Sequence, residues 1–484
     1  MLSPGPTAPA MKDRSVVVIG AGPAGLTAAY ALMKAGLRAV VLEAEAHVGG
    51  HARTAERGGF LFDVGGHRFF TKIPEVQKIW NEVMDEGFIR VRRLSRILYR
   101  GQFYHYPLKP FEALLQMGVF ESAWVILSYL RKKLLPLPEE KTLEQWMINR
   151  FGPRLFLMFF RTYTEKVWGM PCSEIGAEWA AQRIKSLTLW RAISSAVFKG
   201  GPRPRSLAEA FDYPERGPGM LWTRMARIVT EGGQQVRLER PVVRVRRQGF
   251  RVSSVTVRHG GHEQEHEGTD FLASMPLPEL VLSLDPPAPP EVREDARALR
   301  YRDFITVALM LRRAEVFPDN WLYIHTPDVL VARIQNYKNW SPAMVPGPDE
   351  TCLGLEYFCT EGDPLWSLPD VALVDLARRE IETIGLALSE DVFDAAVLRQ
   401  KKAYPVYDSR YREPLARLKD YLLRFENLQM IGRNGLHKYN NQDHAMLTAL
   451  LAVRNVLEGG RRHDVWAVNT ENEYHEAESD PSAE

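Results

Sequence analysis

The stretch Val16-Val17-Val18-Ile19-Gly20-Ala21-Gly22-Pro23-Ala24-Gly25 decides the fold of this chain. Its four leading apolar residues predict a buried strand, and a helix is predicted from about Ala24 to Ala35. A second apolar strand is predicted from Ala39 to Glu43. Strand, helix and strand in this order form a βαβ unit with two parallel strands, so the chain is predicted to be an α/β protein.

Three glycines of the turn, Gly20, Gly22 and Gly25, have the GxGxxG spacing. A tight turn, a close approach of the backbone to a pyrophosphate and a close contact between helix and strand each need a residue without a Cβ. Glu43, at the end of the second strand, is suited to accept hydrogen bonds from ribose hydroxyls. A plain turn would not need all of these features together, so the sequence predicts a dinucleotide site.

Two more glycine pairs follow, in Gly49-Gly50-His51-Ala52-Arg53-Thr54 and in Phe62-Asp63-Val64-Gly65-Gly66-His67. They resemble the second glycine pair and the flavin-ring segment of the flavoproteins with two dinucleotide-binding domains. That resemblance implies a Rossmann-type FAD-binding domain. It leaves two interpretations of His67, which is either a hydrogen-bonding or proton-moving group at the flavin, or a packed histidine behind it.

Further motifs resemble the UDP-galactopyranose mutases, flavoenzymes that interconvert the pyranose and furanose rings of a nucleotide sugar. They are Tyr163-Thr164-Glu165-Lys166-Val167-Trp168-Gly169, Tyr404-Pro405-Val406 and the segment from Gly432 to Asp443. The resemblance runs from Val16 to about Leu457. It implies that Trp168, Tyr404 and Tyr439 line a flavin and substrate cleft. The segments from Asp212 to Met220 and from Asp270 to Pro276 are similar to segments of the wider amine oxidase, protoporphyrinogen oxidase and phytoene desaturase group.

Two departures from the mutase pattern concern arginines that clamp the substrate diphosphate. The sequence reads Arg183-Ile184-Lys185-Ser186-Leu187 where the mutases carry RIPxR, and the second family arginine would fall near Thr351-Cys352-Leu353. Bidentate arginine contacts with phosphate are strong hydrogen bonds, so their loss weakens binding of a nucleotide sugar. The candidates that would replace them are Lys185, Arg203, Arg205 and Arg333.

The composition excludes several classes of protein. Hydrophobic residues make up 45% and charged residues 25% of the 484 residues, which excludes a disordered chain and a polytopic membrane protein. The 62 basic residues nearly balance the 60 acidic ones, so no nucleic-acid partner is predicted. The apolar stretch from Phe111 to Leu130 is interrupted by charges, so it should not span a bilayer, although a peripheral membrane contact stays open.

Cysteine and histidine patterns give no metal site. The three cysteines have no metal-binding spacing, which favours a reducing, cytoplasmic location. His259, His262 and His266 surround Gly260-Gly261, which predicts a hairpin tip.

The domain organisation follows from the alternation of helical and strand patterns. A Rossmann-type FAD-binding domain is interrupted by a helical domain and by a second, largely antiparallel sheet that forms the substrate domain. The predicted segments are a flexible N-terminus (1–14), FAD-binding segment 1 (15–74), a mainly helical insertion (75–199), FAD-binding segment 2 (200–285), a substrate-domain sheet and helix (286–415), FAD-binding segment 3 (416–460) and a C-terminal tail (461–484).

The leading functional prediction is an FAD-dependent oxidoreductase, in which a sugar-like or other cyclic substrate passes a hydride to flavin N5. The alternatives are a pyranose/furanose mutase without net redox change and a flavin-binding protein without catalysis. A nucleotide-linked or lipid-linked sugar is the candidate substrate, and the oligomeric state stays open. The predicted catalytic residues are His67, Trp168, Tyr404, Arg433 and Tyr439. The predicted cofactor-binding residues are Gly20, Gly22, Gly25, Glu43, Gly49, Gly50, Arg53, Gly65, Gly66, His67, Val242, Gly432, Arg433, Asn441 and Gln442.

Overall fold

The computed structural model describes residues 14–177, 210–408 and 410–469, and within them the side chains of residues 110 and 111 are left aside. The segment Arg183 to Leu187, with Lys185, lies outside the described residues, as do Arg203 and Arg205. The same is true of most of the predicted N-terminal segment and of the acidic end of the predicted tail.

Strands and helices are numbered here along the described residues. The strands are β1 (Ser15–Ile19), β2 (Arg38–Leu42), β3 (Thr54–Arg57), β4 (Phe60–Asp63), β5 (Phe88–Arg92), β6 (Ser95–Tyr99), β7 (Gln102–His105), β8 (Ala210–Pro214), β9 (Gln235–Arg237), β10 (Val242–Gln248), β11 (Arg251–His259), β12 (His262–Glu267), β13 (Asp270–Ala273), β14 (Leu284–Asp285), β15 (Tyr301–Leu311), β16 (Trp321–Ile324), β17 (Arg333–Asn336), β18 (Thr351–Cys359), β19 (Val392–Pro405) and β20 (Leu428–Met430). The α-helices are α1 (Pro23–Lys34), α2 (Pro74–Met84), α3 (Pro110–Met117), α4 (Val119–Leu134), α5 (Leu143–Phe151), α6 (Pro153–Phe156), α7 (Thr162–Trp168), α8 (Gly219–Glu231), α9 (Leu277–Leu282), α10 (Pro290–Ala298), α11 (Tyr337–Trp340), α12 (Asp370–Thr383), α13 (Arg412–Leu423), α14 (Gly432–Gly435) and α15 (Gln442–Glu458).

The first sheet is parallel, and within the described residues its order is β20-β13-β1-β2-β9. Its central strand β1 is buried from Val16 to Ile19, as expected for a parallel strand covered on both faces. Helix α1 crosses over from β1 to β2, and α8 and α15 pack against it. The predicted Rossmann-type unit is therefore present, built from separated segments of the chain.

A smaller sheet has the order β12-β11-β10-β14 in the part of the chain that the structure describes. Strands β11 and β12 form an antiparallel hairpin in which His259 pairs with His262. Gly260 and Gly261 turn the hairpin with φ of 56° and 83°. This confirms the predicted hairpin, and no group of residues suited to hold a metal ion occurs among those described.

The largest sheet confirms the predicted second, largely antiparallel sheet. Over the described ranges its order is β19-β15-β18-β17-β16-β6-β7, and β16 pairs with β6 in parallel. Strands β15 and β18 are buried almost throughout, and α12 packs on this sheet. Because β6 and β7 come from residues 95–105, the predicted helical insertion also supplies the last two strands at one side of this sheet.

Helices α3 to α7 form a separate unit with its own core, in which Trp146, Phe156 and Phe159 are buried. Helix α2, also predicted to belong to this insertion, instead buries Val76 and Trp80 in the core beside the first sheet. The beginning of the predicted tail is packed as well, since Trp466 is 7% exposed. No helix among the described residues is long and apolar enough to cross a membrane.

Candidate active site

The first glycine turn joins β1 to α1 and is too crowded for side chains. A Cβ on Gly25 would lie 1.8 Å from the carbonyl oxygen of Gly20, and one on Gly20 would lie 2.3 Å from Ser274 Oγ. Gly20 also has a φ of 99°, which favours glycine. Helix α1 begins directly after Gly22, so its free N–H groups face the space above the turn. A pyrophosphate fits this place.

Glu43 stands at the end of β2 beside the turn. Its carboxylate accepts hydrogen bonds from the backbone N–H of Ala21 at 2.6 Å and of Glu45 at 3.0 Å. Burial raises the pKa of Glu43, and the backbone donors partly oppose this rise. Glu43 therefore holds the turn in shape and keeps acceptor capacity for a ribose hydroxyl.

The second glycine pair lies against the first turn. The N–H of Gly49 donates to the carbonyl of Ala21 at 2.9 Å, and a Cβ on Gly50 would lie 3.3 Å from the Cα of Gly22. The guanidinium of Arg53 donates to the carbonyl of Gly50 at 3.2 Å and to Gln400 Oε1 at 2.9 Å. The two predicted glycine segments thus form one continuous cradle, which fits a dinucleotide.

His67 follows the pair Gly65-Gly66 and is neutral. Its Nε2 lies 2.7 Å from the carbonyl oxygen of His51 and 3.0 Å from that of Val64. Because both partners are acceptors, Nε2 carries the proton. Burial lowers the pKa of His67 to about 4. This geometry favours a hydrogen-bonding role over proton transfer near neutral pH.

The C-terminal segment completes the cradle from the other side. A Cβ on Gly432 would lie 2.9 Å from the Cβ of Ala24, so α14 starts close to α1. Asn441 caps α15, and Gln442 Oε1 accepts from Trp222 Nε1 at 2.9 Å. The other amide atom of Gln442, Nε2, is buried without a partner. An unused donor at this helix start fits the polar edge of a flavin ring.

A buried ion pair lies in the large sheet beside the pair Gly65-Gly66. Arg333 on β17 donates from Nε to Glu356 Oε2 at 2.6 Å, and Glu356 on β18 is fully buried. Gln335 donates to the other carboxylate oxygen at 2.6 Å, and its amide group lies 3.1 Å from where a Cβ of Gly66 would be. Burial opposes the charge on Arg333, but Glu356 raises the pKa of Arg333 overall. Glu356 thus holds Arg333 in its charged form at the cleft.

Three predicted substrate residues meet in one stack. The rings of Tyr404 and Tyr439 are 5.5 Å apart and nearly parallel, at 23°. The guanidinium of Arg433 lies 4.9 Å from the centre of the Tyr404 ring and 4.2 Å from that of Tyr439. Arg333 donates to the hydroxyl of Tyr404 at 2.9 Å. The structure therefore brings Tyr404, Arg433 and Tyr439 together and adds Arg333.

The heptad that begins at Tyr163 mostly fastens α7 to the large sheet. Lys166 donates from Nζ to the carbonyls of Ile324, Thr326 and Val331 at 3.3, 2.7 and 3.0 Å. Tyr163 stacks on His325 with ring centres 4.8 Å apart and contacts the cluster around Tyr404.

Trp168 and Val242, two more of the predicted site residues, lie outside the stack of Tyr404, Arg433 and Tyr439. Trp168 is 6% exposed and belongs to the core of the helical unit. Val242 lies on β10, where it pairs with Val257 and packs beside the core of the first sheet. Val242 comes two residues after Arg240, whose backbone N–H donates to the carbonyl of Glu43 at 2.7 Å.

A family model described as flavin-containing amine oxidoreductase matches residues 23–417. The chain belongs to this family. Membership confirms the predictions of a flavin-dependent enzyme and of FAD as its cofactor, and the glycine cradle, Glu43 and Gln442 fit that cofactor.

The proteins to which this chain is similar carry diverse names. The chain is 23% identical over 317 residues to an L-amino-acid oxidase of Crotalus adamanteus, which covers 60% of this chain and 56% of the oxidase. The curated relatives are matched over between 15% and 60% of their own lengths. A structure of reduced UDP-galactopyranose mutase has a TM-score of 0.81 at 20% identity and covers 94% of this chain and 97% of the mutase. A structure of a putrescine oxidase triple mutant has a TM-score of 0.60 at 17% identity and covers 92% and 99%. At these identities the likeness of the structures establishes the fold.

Glu356 and Gln335 were not predicted from the sequence. Glu356 is the single charged residue in the strand Thr-Cys-Leu-Gly-Leu-Glu-Tyr-Phe-Cys from Thr351 to Cys359. A carboxylate in an otherwise apolar buried strand needs a cationic partner, which was the available signal. Its partner Arg333 was predicted only as a substitute phosphate ligand.

Proposed function

We propose that the chain is an FAD-dependent oxidoreductase acting on an anionic, hydroxylated ring compound, with a nucleotide-linked or lipid-linked sugar as the leading candidate. The carrying observation is Arg433, which lies against two tyrosine rings. Its guanidinium donates to the carbonyls of Ala403 and Asn440 at 2.8 and 3.1 Å, and it forms no ion pair with a described residue. Its guanidinium suits a carboxylate or phosphate, and the tyrosine rings suit the face of a sugar. FAD, when bound, supplies the acceptor for a hydride from a substrate carbon.

The side chains of this cleft support binding and orientation. Glu356 accepts hydrogen bonds from Arg333 and Gln335. His67 is neutral, and its Nε2–H donates hydrogen bonds to two backbone carbonyls. Both carboxylate oxygens of Glu356 are thus engaged, and burial, which lowers the pKa of His67 to about 4, makes His67 a weak base near neutral pH. Gly66 is exposed and has no side chain to cover the flavin, so a substrate can approach closely.

The charge of the cleft argues against a protonated diamine as the substrate. Arg433 has no carboxylate partner among the described residues, and the charge of Arg333 is balanced by Glu356. A second cation beside Arg433 would be repelled. An amino-acid carboxylate or a sugar phosphate is attracted by the same charge.

A pyranose/furanose mutase is the second candidate. It is favoured by the TM-score of 0.81 to a mutase structure, compared with 0.60 to putrescine oxidase, and by the heptad from Tyr163 to Gly169. In that reaction the sugar ring opens and closes again without net oxidation. Arg333 and Arg433 would then hold the diphosphate in place of the arginines that the sequence lacks.

Two anaerobic measurements separate the candidates. Oxidised holoenzyme is mixed with nucleotide sugars, sugar acids, amino acids and putrescine, and the loss of the visible absorption of oxidised flavin is followed. Reduced holoenzyme is mixed with UDP-galactopyranose, and the products are separated by chromatography. Flavin reduction by an anionic sugar supports the oxidoreductase. Furanose formation without flavin oxidation supports the mutase, and reduction by putrescine alone would contradict the charge argument.

A further inference from the structure

The outer surface of the helical unit carries exposed apolar side chains in unusual number. Among the described residues, ten of the sixteen large apolar side chains that are well exposed lie between residues 115 and 157. Their exposed fractions on α4 and at its end run from 40% to 89%, and we name this group the α4 patch: Val119, Phe120, Trp124, Ile126, Leu127, Leu130, Leu134 and Leu135. Contiguous apolar patches on soluble proteins mark interaction sites.

The patch occupies one continuous side of α4. Successive residues of an α-helix are about 100° apart, so Phe120, Trp124 and Leu127 lie side by side. The opposite side of the helix buries Val125 and Tyr129 in the core of the helical unit. The helix therefore has a narrow inner face and a broad apolar outer face.

Helix α4 is firmly anchored, so the outer face belongs to the folded protein. Glu121 accepts two hydrogen bonds from the guanidinium of Arg154, at 2.6 and 2.8 Å. A Cβ on Gly152 would lie 2.9 Å from the backbone nitrogen of Tyr129, so the helix packs tightly against the turn before α6. Substitutions on the outer face should leave these contacts intact.

The charge around the patch is positive. The last turn of α4 carries Arg131, Lys132 and Lys133, and none of them forms an ion pair with a described residue. The nearby carboxylates are already paired with cations: Glu121 with Arg154 at 2.6 Å, Glu139 with Lys141 at 2.9 Å and Glu140 with Arg150 at 2.8 Å. A broad apolar face beside unpaired cations matches the acyl boundary and phosphates of an anionic lipid surface.

We propose that the α4 patch docks on the surface of a bilayer that contains anionic phospholipids. Helix α4 has 16 residues, about 24 Å at 1.5 Å per residue, and is therefore placed in the plane of the interface with its apolar face toward the acyl chains. Phe120 and Trp124 enter the boundary between head groups and acyl chains, and Arg131 and Lys133 reach the phosphates. This surface is separate from the candidate active site, so the proposal does not depend on the substrate or reaction.

The test uses a fluorescent label at the patch. The three native cysteines are buried, so Phe120→Cys offers one accessible thiol for a polarity-sensitive dye in the described part of the chain. Labelled holoenzyme is mixed with vesicles of phosphatidylcholine and phosphatidylglycerol, and with vesicles of phosphatidylcholine alone. Val371→Cys is the matched control, since Val371 is 72% exposed and far from the patch in sequence. We expect a blue shift and a rise in emission only at position 120 and mainly with anionic vesicles.

Co-sedimentation measures the energetic contribution of the patch. Phe120→Ser with Trp124→Ser should weaken partition into anionic vesicles about tenfold or more, because two aromatic side chains no longer leave water. Arg131→Glu with Lys133→Glu should weaken binding at low salt and remove its salt dependence. Val371→Ser with Leu388→Ser, two exposed positions elsewhere, should bind like the unmodified protein. Flavin content and melting temperature check that each variant is folded.

Several results would contradict docking of the α4 patch on a membrane. Absence of binding to anionic vesicles, or equal responses of the dye at positions 120 and 371, would overturn the proposal. A third result would also overturn it: the unmodified protein is a dimer that does not bind vesicles, and the serine variant is a monomer. The patch would then be assigned to contact with a second copy of the chain. The charge variant keeps the test decisive if the serine variant fails to fold.

Discussion

At the scale of single residues, Arg433 has the most direct prediction, because its charge is unpaired among the described residues. Replacing it by alanine should weaken binding of UDP or another anionic ligand about tenfold to a hundredfold, the range for a lost charge-assisted hydrogen bond. Titration of the flavin spectrum with UDP measures the dissociation constant. Arg313→Ala is the control, since Arg313 is exposed and paired with Asp391. Unchanged affinity for every anion tested would remove Arg433 from the substrate site.

Glu356 should be essential for stability because it balances a buried arginine. Glu356→Gln leaves the charge of Arg333 without its counter-ion, and breaking a buried pair from one side costs about 3–5 kcal/mol. Glu361→Gln breaks the pair with Lys401, in which both side chains are about half exposed, and should cost less than about 1 kcal/mol. Urea unfolding of both variants at a fixed FAD concentration measures the free energies. Equal effects would mean that water or the cofactor compensates Arg333.

Asp63 should make stability depend on pH. Its carboxyl group accepts hydrogen bonds from the hydroxyls of Tyr213 and Thr54, and burial raises the pKa of Asp63 to about 7. The folded protein therefore keeps a proton that the unfolded chain releases above about pH 4, so this contribution to stability is lost as pH rises from about 4 to about 7. Relative to the unmodified protein, Asp63→Asn should gain about 1.4 kcal/mol per pH unit in that window. Parallel stability profiles from urea unfolding would show that Asp63 ionises normally.

The role of a residue was predictable from the sequence where the backbone conformation permits only one residue type. Gly20 and Gly25 are examples, because only the absence of a Cβ permits the turn. The heptad resemblance indicated the place of Lys166 but not its function, since its three carbonyl partners lie far away in the chain. Long-range hydrogen bonds of this kind leave no local pattern.

At the scale of elements, the contact between β1 and α1 should be intolerant of added volume. Gly25→Ala would place a Cβ 1.8 Å from the carbonyl oxygen of Gly20, so the helix must move away from the strand. We expect the variant to lose bound FAD and to melt at a lower temperature. Gly460→Ala is the control, since no atom lies within 4 Å of its Cβ position. Flavin absorbance per protein and thermal melting test this, and full FAD content in Gly25→Ala would contradict it.

Helix α2 and strands β6 and β7 show what element prediction cannot supply. The apolar spacing from Val76 to Met84 identified a helix correctly, but the pattern does not say which core that helix faces. Strands β6 and β7 likewise extend the large sheet, because β6 pairs with β16, more than 200 residues later, and β7 pairs with β6. Periodicity defines an element, and tertiary packing assigns it to a unit.

At the scale of the whole molecule, the cofactor cradle joins segments that are distant in the chain. The turns near Gly22 and Gly50 lie in the first predicted FAD-binding segment and the turn near Gly432 in the third. A Cβ on Gly50 would lie 3.3 Å from the Cα of Gly22, and one on Gly432 would lie 2.9 Å from the Cβ of Ala24, so the three turns are close together. A ligand that contacts all three turns stabilises the folded chain as a whole. The sequence predicted each of these turns separately. Their order along the chain resembles that of known flavoproteins, and this resemblance indicated that they bind one cofactor together.

FAD should therefore stabilise the protein more than FMN does. FMN lacks the adenosine half and one phosphate, so it leaves Glu43 and the α1 start unused. Free FAD at a hundredfold excess over its dissociation constant should add about 2.7 kcal/mol to the free energy of unfolding, and FMN much less. Thermal melting of the protein freed of flavin, at increasing concentrations of each, measures both effects. In Glu43→Ala the melting temperature should begin to rise at a higher FAD concentration, because the ribose contact is lost. The melting temperature without FAD should also be lower, because Glu43 accepts hydrogen bonds from the N–H groups of Ala21 and Glu45. Equal stabilisation by FMN and FAD would mean that the adenosine half makes no contact, and the cradle around Gly22 would then need another ligand.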